Sequence, residues 1–367
     1  MASLAADQQH VAPYRIAVVE WSRPDGIADA LGEALSELGH QPHLFYHADP
    51  IPQDVDIVFS FAPFGNYMAL AERIAAIEAQ DRPLLIHWNT EPIPDLRLPW
   101  PLVYPLSRLR SWAGRAAYRT HLNGLPIIAP FDSRMMRFRC VGDYFDTYRR
   151  GILNVFADCS AVYADRHRQH GLPAIYMPWG AVPAWHRDLQ LPRDIDVLWL
   201  GRRATRRRSR LLDRVRDELR RQGVEIYVVD HIEHPPVYGE DRTELLNRSK
   251  IVLNLNRGWG DNSLFRFSIV APNGAMMVSE TMLPHCPEYQ PGVHYASAPV
   301  EQLSATILHY LRHEEERAAI AANARRLFEQ ENMSLAHHVQ TLIAHADAVY
   351  RQRARQASAS LPEPRFA

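Results

Sequence analysis

The chain has 367 residues, 47% of them hydrophobic and 23% charged, with a formal net charge of -1. It therefore carries apolar material for two cores, and has no global field to draw it to nucleic acid or an anionic membrane. Cys140, Cys159 and Cys286 lie far apart without zinc-site spacing, which fits a reduced cytoplasmic protein with no structural metal.

Residues 1–13 lack a basic start followed by an apolar run, and no later stretch approaches the ~20 apolar residues of a membrane span. Neither secretion nor membrane integration is expected, although peripheral contact with a membrane stays open. From Tyr14 to Trp21 the run YRIAVVEW predicts a strand, and Ile27, Leu31, Leu35 and Leu38 predict the helix that follows. The alternation continues through strands at His43–Tyr46 and Val55–Ser60, a helix over 67–79 and a strand at Pro83–His87. After a proline-rich stretch, Ile127–Pro130, Cys159–Tyr163 and Ile175–Pro178 read as further strands. Strands separated by helices imply crossovers and a parallel sheet, so residues 14–180 form one Rossmann-like domain.

Residues 181–193 carry prolines and no period, as a linker does. A second cycle begins with a strand at Asp196–Leu200 and a helix at Ser209–Gln222. Strands at Val224–Asp230 and Ile251–Leu255 flank a short helix at Arg242–Arg248. A helix at Phe265–Pro272 and a strand at Ala275–Ser279 follow, then helices over 300–312 and 314–328. This second domain spans 194–333. The helix over 334–355 lies outside the alternation and is expected to cross back onto the first domain, and residues 356–367 read as a disordered tail. The fold class is thus α/β, with two Rossmann-like domains facing a cleft.

In open parallel sheets, ligands bind beyond the carboxyl ends of strands. In the second domain the first such turn is Gly201-Arg202-Arg203, with Arg206, Arg207, Arg208 and Arg210 at the start of a helix. Backbone N–H groups, the helix dipole and bidentate guanidinium groups suit a diphosphate there, although a solvated basic face is the plain alternative. Nucleic-acid binding lacks aromatic interleaving or a motif to support it. Asn254 and Asn256 end the next strand and can bond hydroxyl groups. Arg266 opens a helix that stops at Pro272-Asn273-Gly274, and Glu280 ends a strand where a carboxylate can hold two sugar hydroxyls. A structural ion pair for Arg266, and a cap or surface charge for Glu280, are the bland readings.

From Asp196 to about Met333 the chain resembles the C-terminal domain of bacterial GT-B glycosyltransferases of the spore-maturation-type group. The resemblance is carried by Asp196-Val-Leu-Trp-Leu-Gly201, Leu246-Asn-Arg-Ser-Lys-Ile-Val-Leu-Asn254, Arg266 with Asn273-Gly274, Val278-Ser-Glu280, and Glu301 with Glu316-Arg317. It implies a GT-B fold and a nucleoside-diphosphate sugar as co-substrate, bound without a cofactor or metal. The donor contacts implied are Gly201, Arg202, Arg203, Arg207, Asn254, Asn256, Arg266, Asn273, Gly274 and Glu280. Many members carry an acidic residue before the arginine-bearing helix. Asn262, Ser263 and Ile269 stand nearby here, which leaves open an altered donor or a silent nucleotide-sugar sensor or scaffold.

The first half resembles the family only loosely. By position alone Glu20, His87, Glu91 and Asp95 can approach the cleft, and the first three are the candidates for the general base that an inverting transfer needs. Asp132 and Asp158 read as caps. Trp88, Trp100 and Trp179 can stack on sugar faces or pack a core. The expected activity is glycosyl transfer to an unidentified acceptor hydroxyl, with a sugar-nucleotide epimerase or hydrolase as the enzymatic alternative and no nucleic-acid partner.

Overall fold

The computed structural model describes residues 13–61, 67–91, 93–119 and 129–359. The first domain is a six-stranded parallel sheet of order β2-β1-β3-β4-β5-β6, from β1 (Arg15–Glu20), β2 (Gln41–Tyr46), β3 (Ile57–Phe61), β4 (Leu84–Asn89), β5 (Leu153–Asp158) and β6 (Ala174–Tyr176). β3 and β4 are buried at every position, which is why they read as continuous apolar runs. Helices α1 (Gly26–Glu37), α2 (Tyr67–Ala76), α3 (Trp100–Arg119), α4 (Ala129–Arg149) and α5 (Ala161–Gln169) connect or flank them. Asp25 caps α1 by accepting from Ile27 and Ala28 N–H, and Ser160 caps α5 through Tyr163 N–H.

Two sequence expectations are corrected here. Cys159–Tyr163 is not a strand: β5 precedes it, and Ser160 starts a helix. Of Ile127–Pro130, the first two positions lie outside the described residues and the last two begin α4. The proline-rich stretch is itself the helix α3, with Pro101 in its first turn, where no donor is lost, and Pro105 inside it.

The second domain is a five-stranded parallel sheet of order β11-β10-β9-β7-β8, from β7 (Ile195–Leu200), β8 (Ile226–Val229), β9 (Ser249–Asn254), β10 (Met276–Glu280) and β11 (Ala296–Ala298). Around it lie α6 (Arg206–Arg220), α7 (Gly239–Arg248), α8 (Leu264–Val270), α9 (Leu303–Arg312) and α10 (Glu314–Phe328). Strand order reverses at β1/β3 in one sheet and at β7/β9 in the other, so each has a switch point at its carboxyl edge, where crevices form.

The last helix, α11 (Leu335–Ala359), returns to the first domain. Leu335, Val339, Leu342, Ile343 and Ala346 are buried in one cluster with Ile16, Val18, Leu31 and Trp88. Burial of each large side chain is worth roughly 1.5–3 kcal/mol, so the crossing is held by the core. Tyr14 Oη donates to Asp347 at 2.7 Å and its ring stacks on Tyr350 at 5.5 Å. At the crossing, Gly180 runs so close to the start of α11 that a Cβ would sit 2.4 Å from the Ser334 carbonyl carbon. The linker is pinned to the second domain. Leu189 N–H donates to Asn247 at 3.0 Å, and Arg193 donates to the carbonyls of Leu246, Ser249 and Asn273.

Buried imidazoles give the fold a pH dependence. Burial pushes His87 and His167 down to about 3 and His285 and His338 down to about 4, against ~6.5 when unfolded. Between those values the unfolded chain binds more protons, so stability falls as pH drops below ~6.5, by up to about 1.4 kcal/mol per histidine per pH unit. Asp158, pushed up by burial to about 7, and Glu91, also raised by burial, act oppositely but are two carboxyl groups against four imidazoles. Urea midpoints at pH 7 and pH 5 should differ clearly, the lower at pH 5; equal midpoints would refute this account.

Candidate functional site

The two carboxyl edges face one another and touch. Ser160 Oγ meets His285 Nδ1 at 2.7 Å, Ala161 N–H donates to the His285 carbonyl at 2.8 Å, Tyr176 Oη donates to Glu288 at 2.7 Å, and Trp179 packs on Phe265 at 5.5 Å. Nearer the two switch points, Asn262 donates to the Thr90 carbonyl at 3.4 Å and the Arg97 guanidinium lies 4.6 Å over the Trp259 ring.

At the β7/β9 switch point the chemistry centres on Asp261, a residue not singled out in the sequence. It is 1% exposed. Its carboxylate accepts from Arg257 N–H at 2.7 Å and from the Arg257 guanidinium at 2.8–3.1 Å, with Arg208 Nη2 at 3.7 Å. Arg257 and Arg208 hold this carboxyl below its usual range although burial opposes them. An acidic residue thus does stand on the loop before the arginine-bearing helix, one position ahead of Asn262.

Arg208 reaches the centre because it heads the inward stripe of α6, in register with Leu212, Val215 and Leu219. Thr205 caps that helix through Arg208 N–H. Arg266 approaches from α8. Its Nη1 donates to Asn254 Oδ1, its Cζ lies 5.3 Å from the Trp199 ring, and its Nη2 would be 3.1 Å from a Cβ at Gly201, whose φ is +125°. A side chain there would be both strained and crowded. Burial and the neighbouring Arg208 push Arg266 down to about 9. Arg208 and Arg257 meet this buried carboxylate and Arg266 lies in its field; with Arg207 beside them, the cluster sets four guanidinium groups against the three carboxylates Asp261, Glu280 and Glu91. A cluster with that surplus of positive charge, desolvated at a switch point, is short of anionic oxygen.

Glu280 and Arg207 form the outer wall. Glu280 is 4% exposed, and its carboxylate takes Arg207 Nη1 and Nη2 at 3.0 and 2.5 Å and Asn256 N–H at 2.5 Å. It is neither a cap nor a surface charge. Asn254 Nδ2 donates to Ser279 Oγ at 2.8 Å while its oxygen positions Arg266, so this amide is spent inside the protein. Asn256 Oδ1 is buried without a partner. Arg202 is exposed, and its carbonyl accepts from Arg208 at 3.2 Å.

Other expected residues lie elsewhere. Arg203 turns outward, held by Asp230, Asp213 and Glu233 at 2.6, 2.5 and 3.1 Å; every guanidinium edge is occupied. Asn273 and Gly274 precede β10 and so sit at the opposite edge of the sheet. There Asn273 ties the linker through the Trp185 carbonyl and Asn247, and Gly274 makes a turn at φ +74° under Arg193. They support the fold, not the cleft.

In the first domain His87 is fully buried in β4 against Tyr67, Tyr144 and Phe156, with Nδ1 on Ser60 Oγ at 3.1 Å. Neutral and enclosed, it cannot take a proton from a substrate. Glu20 ends β1 at that sheet's switch point and pairs with Arg23 at 3.5 Å. Asp95 is bound to Arg97 on the surface. Asp158 accepts Ser160 N–H and Asn89 Nδ2 at 2.8 and 2.7 Å, a capping arrangement with His167 at 3.7 Å. The side chain of Asp132 lies outside the described residues. Trp88 and Trp179 are core residues, and Trp100 stacks on His170 at 3.9 Å; none presents a free face to a sugar. Glu91 is the carboxylate that faces the centre, 3.8 Å from Arg257 Nη1. Burial and the nearby Asp261 raise it, and Arg257 partly opposes them. Among the described residues no cluster of three or more His, Cys, Asp or Glu has metal-binding geometry.

The chain is similar to known proteins over its second half and in its overall fold. Residues 203–344 match the family model described as glycosyl transferase-like. No curated protein sequence matches the chain. Among solved structures, Anabaena HepE in complex with UDP and glucose aligns at 11% identity over 91% of this chain and 100% of its own, with a TM-score of 0.55. The sucrose-phosphate synthase of Thermosynechococcus elongatus aligns at 11% identity over 94% and 100%, with a TM-score of 0.54. The glycosyltransferase WaaG of lipopolysaccharide biosynthesis aligns at 12% identity over 88% and 97%, with a TM-score of 0.54. Identities this low establish the fold, and the sequence match covers the half that carries the guanidinium cluster: the chain has a GT-B fold whose second domain is glycosyl transferase-like.

Proposed function

We propose that the protein transfers a sugar from a nucleoside-diphosphate sugar to an acceptor hydroxyl, with the donor diphosphate on the second domain and the acceptor on the first. The observation that carries this reading is the excess of guanidinium groups over carboxylates around Asp261 at the β7/β9 switch point. Arg208, Arg257 and Arg266 would stabilise the diphosphate as negative charge builds on it, in a site already desolvated and needing little reorganisation. Arg207, held by Glu280, borders the same crevice. Glu91 would take the acceptor proton from the facing domain. The family match over 203–344 supports the reaction class, and the UDP and glucose bound to HepE suggest a uridine nucleotide as the first donor to try.

In this reading guanidinium groups do what a divalent cation does elsewhere, so no cofactor is required and turnover should be the same with EDTA as with added magnesium. A rate that collapses on chelation would replace the guanidinium account with a metal-bound diphosphate. The reading also places the protein in the cytoplasm. None of the three cysteines forms a disulfide, and among the described residues no helix is long and apolar enough to cross a membrane.

The direct test is a thermal-shift screen against UDP, GDP, dTDP and their common sugar conjugates, since a ligand of the native state raises its melting temperature by mass action. One nucleotide family should stabilise the protein. Donor consumption without acceptor would point to hydrolysis or epimerisation instead, and no shift with any nucleotide would sink the proposal.

A further inference from the structure

The outward face of α3 is inverted relative to an ordinary surface helix. Leu102, Leu106, Leu109 and Trp112 are 49%, 36%, 61% and 60% exposed, and their spacing of four, three and three residues puts them in one stripe. The face turned to α4 buries Val103 but also Ser107, Arg110 and Ser111. The two helices cross closely at Gly142, where a Cβ would sit 2.0 Å from the Ser107 carbonyl oxygen. Scattered exposed leucines are normal, but a continuous apolar stripe over a polar buried face marks a contact surface.

Cations accompany the stripe. Between α3 and α4 lies an open groove of ≈ 460 Å³ whose rim carries Arg108, Arg115, Arg149 and Arg150. Arg108 and Arg149 are exposed, their guanidinium groups 5.9 and 5.0 Å from the Tyr104 ring. Arg115 and Arg150 share Asp146 at 3.3 and 3.2 Å, and Arg150 also pairs with Glu72. These groups leave a local positive surplus on a chain whose formal net charge is -1.

We propose that the outer face of α3 docks on an anionic lipid bilayer. Leu102, Leu106, Leu109 and Trp112 enter the boundary between headgroups and acyl chains, and Arg108 and Arg149 meet the headgroup phosphates. A bilayer is the occupant that this composition fits: Arg108 and Arg149 edge the stripe on its α4 side, and leucine and tryptophan flanked by arginine are the composition of an interfacial helix. Long arginine stems let the charge rise to the phosphates while the methylenes stay in apolar surroundings. The surface lies outside the cleft and does not depend on the donor-site proposal.

Sedimentation of the full chain with vesicles tests this. The protein should pellet with vesicles of phosphatidylcholine mixed with phosphatidylglycerol, not with phosphatidylcholine alone, and less at high salt. Leu109→Glu with Trp112→Glu should abolish pelleting while circular dichroism stays unchanged. Arg108→Gln with Arg149→Gln should weaken it by about five-fold per charge removed, and decides the matter if the acidic variant does not fold. Failure to pellet with either vesicle, or pelleting indifferent to both variants, overturns the proposal. So does a dimer formed without lipid that the acidic variant dissociates, which would make the ridge an interface between copies of this chain.

Discussion

Replacing Arg266 by methionine is expected to abolish donor-induced stabilisation and cut kcat/KM by roughly 10²–10³-fold, the usual loss when one preorganised donor to developing negative charge is removed. The same variant without ligand is expected to melt higher than the parent. Arg266 is pushed down to about 9 by burial and by Arg208, so its charge is held at a cost in free energy. Methionine fills similar space beside Trp199 without it. Relief of that repulsion should raise the melting temperature by roughly 2–4 °C for each kcal/mol regained. A structural arginine behaves oppositely, because breaking its contacts destabilises the fold and leaves binding to folded protein intact. Lysine should not rescue. It lacks the planar fork that reaches Asn254 and faces Gly201 together. Thermal melts with and without nucleotide, run beside steady-state rates, separate the alternatives. A lower unliganded melting temperature with an undiminished ligand shift would remove Arg266 from the site.

The alternation of strands and helices was legible because β3, β4, β7 and β9 are enclosed and read as apolar runs, while α1, α6 and α10 carry a helical period. The same enclosure hid the role of His87. In a strand buried on both faces, alternation does not say which side chains reach the crevice, and His87 proved to be core while Glu91, just past the strand end, faces the centre. Asn273 and Gly274 failed for a different reason. They precede their strand, and only the carboxyl edge of a parallel sheet meets the cleft. Arg208 could have been read from its spacing with Leu212, Val215 and Leu219. Asp261 could have been found as the acid four residues after Arg257, just ahead of the α8 N-cap at Ser263. Helix α3 was obscured by its prolines, and β11 by its three residues. Which arginines turn inward at the Gly201 loop is set by tertiary partners. Asp230, Asp213 and Glu233 claim Arg203, and Glu280 claims Arg207, and sequence order alone does not contain that allocation.

Glu91→Gln is expected to lower kcat by about 10²–10⁴-fold, the contribution of a positioned general base, while the nucleotide thermal shift persists. Glu91 meets the donor cluster at Arg257, 3.8 Å away, and its loss should fall on acceptor activation. The pH profile carries the sign. A base must be ionised to act, and burial with Asp261 raises Glu91 above the ordinary carboxylate range. The rate should therefore climb as pH rises through that elevated value, with the acidic limb above the ~4.3 of a free glutamate. Arg257→Gln should move the limb further up. It removes the cation that favours ionised Glu91 and also leaves Asp261 less neutralised, and both effects penalise a second negative charge. Should Glu91→Gln retain activity within tenfold, or Arg257→Gln leave the acidic limb in place, Glu91 is a positioning residue for Arg257 and the acceptor proton leaves by another route.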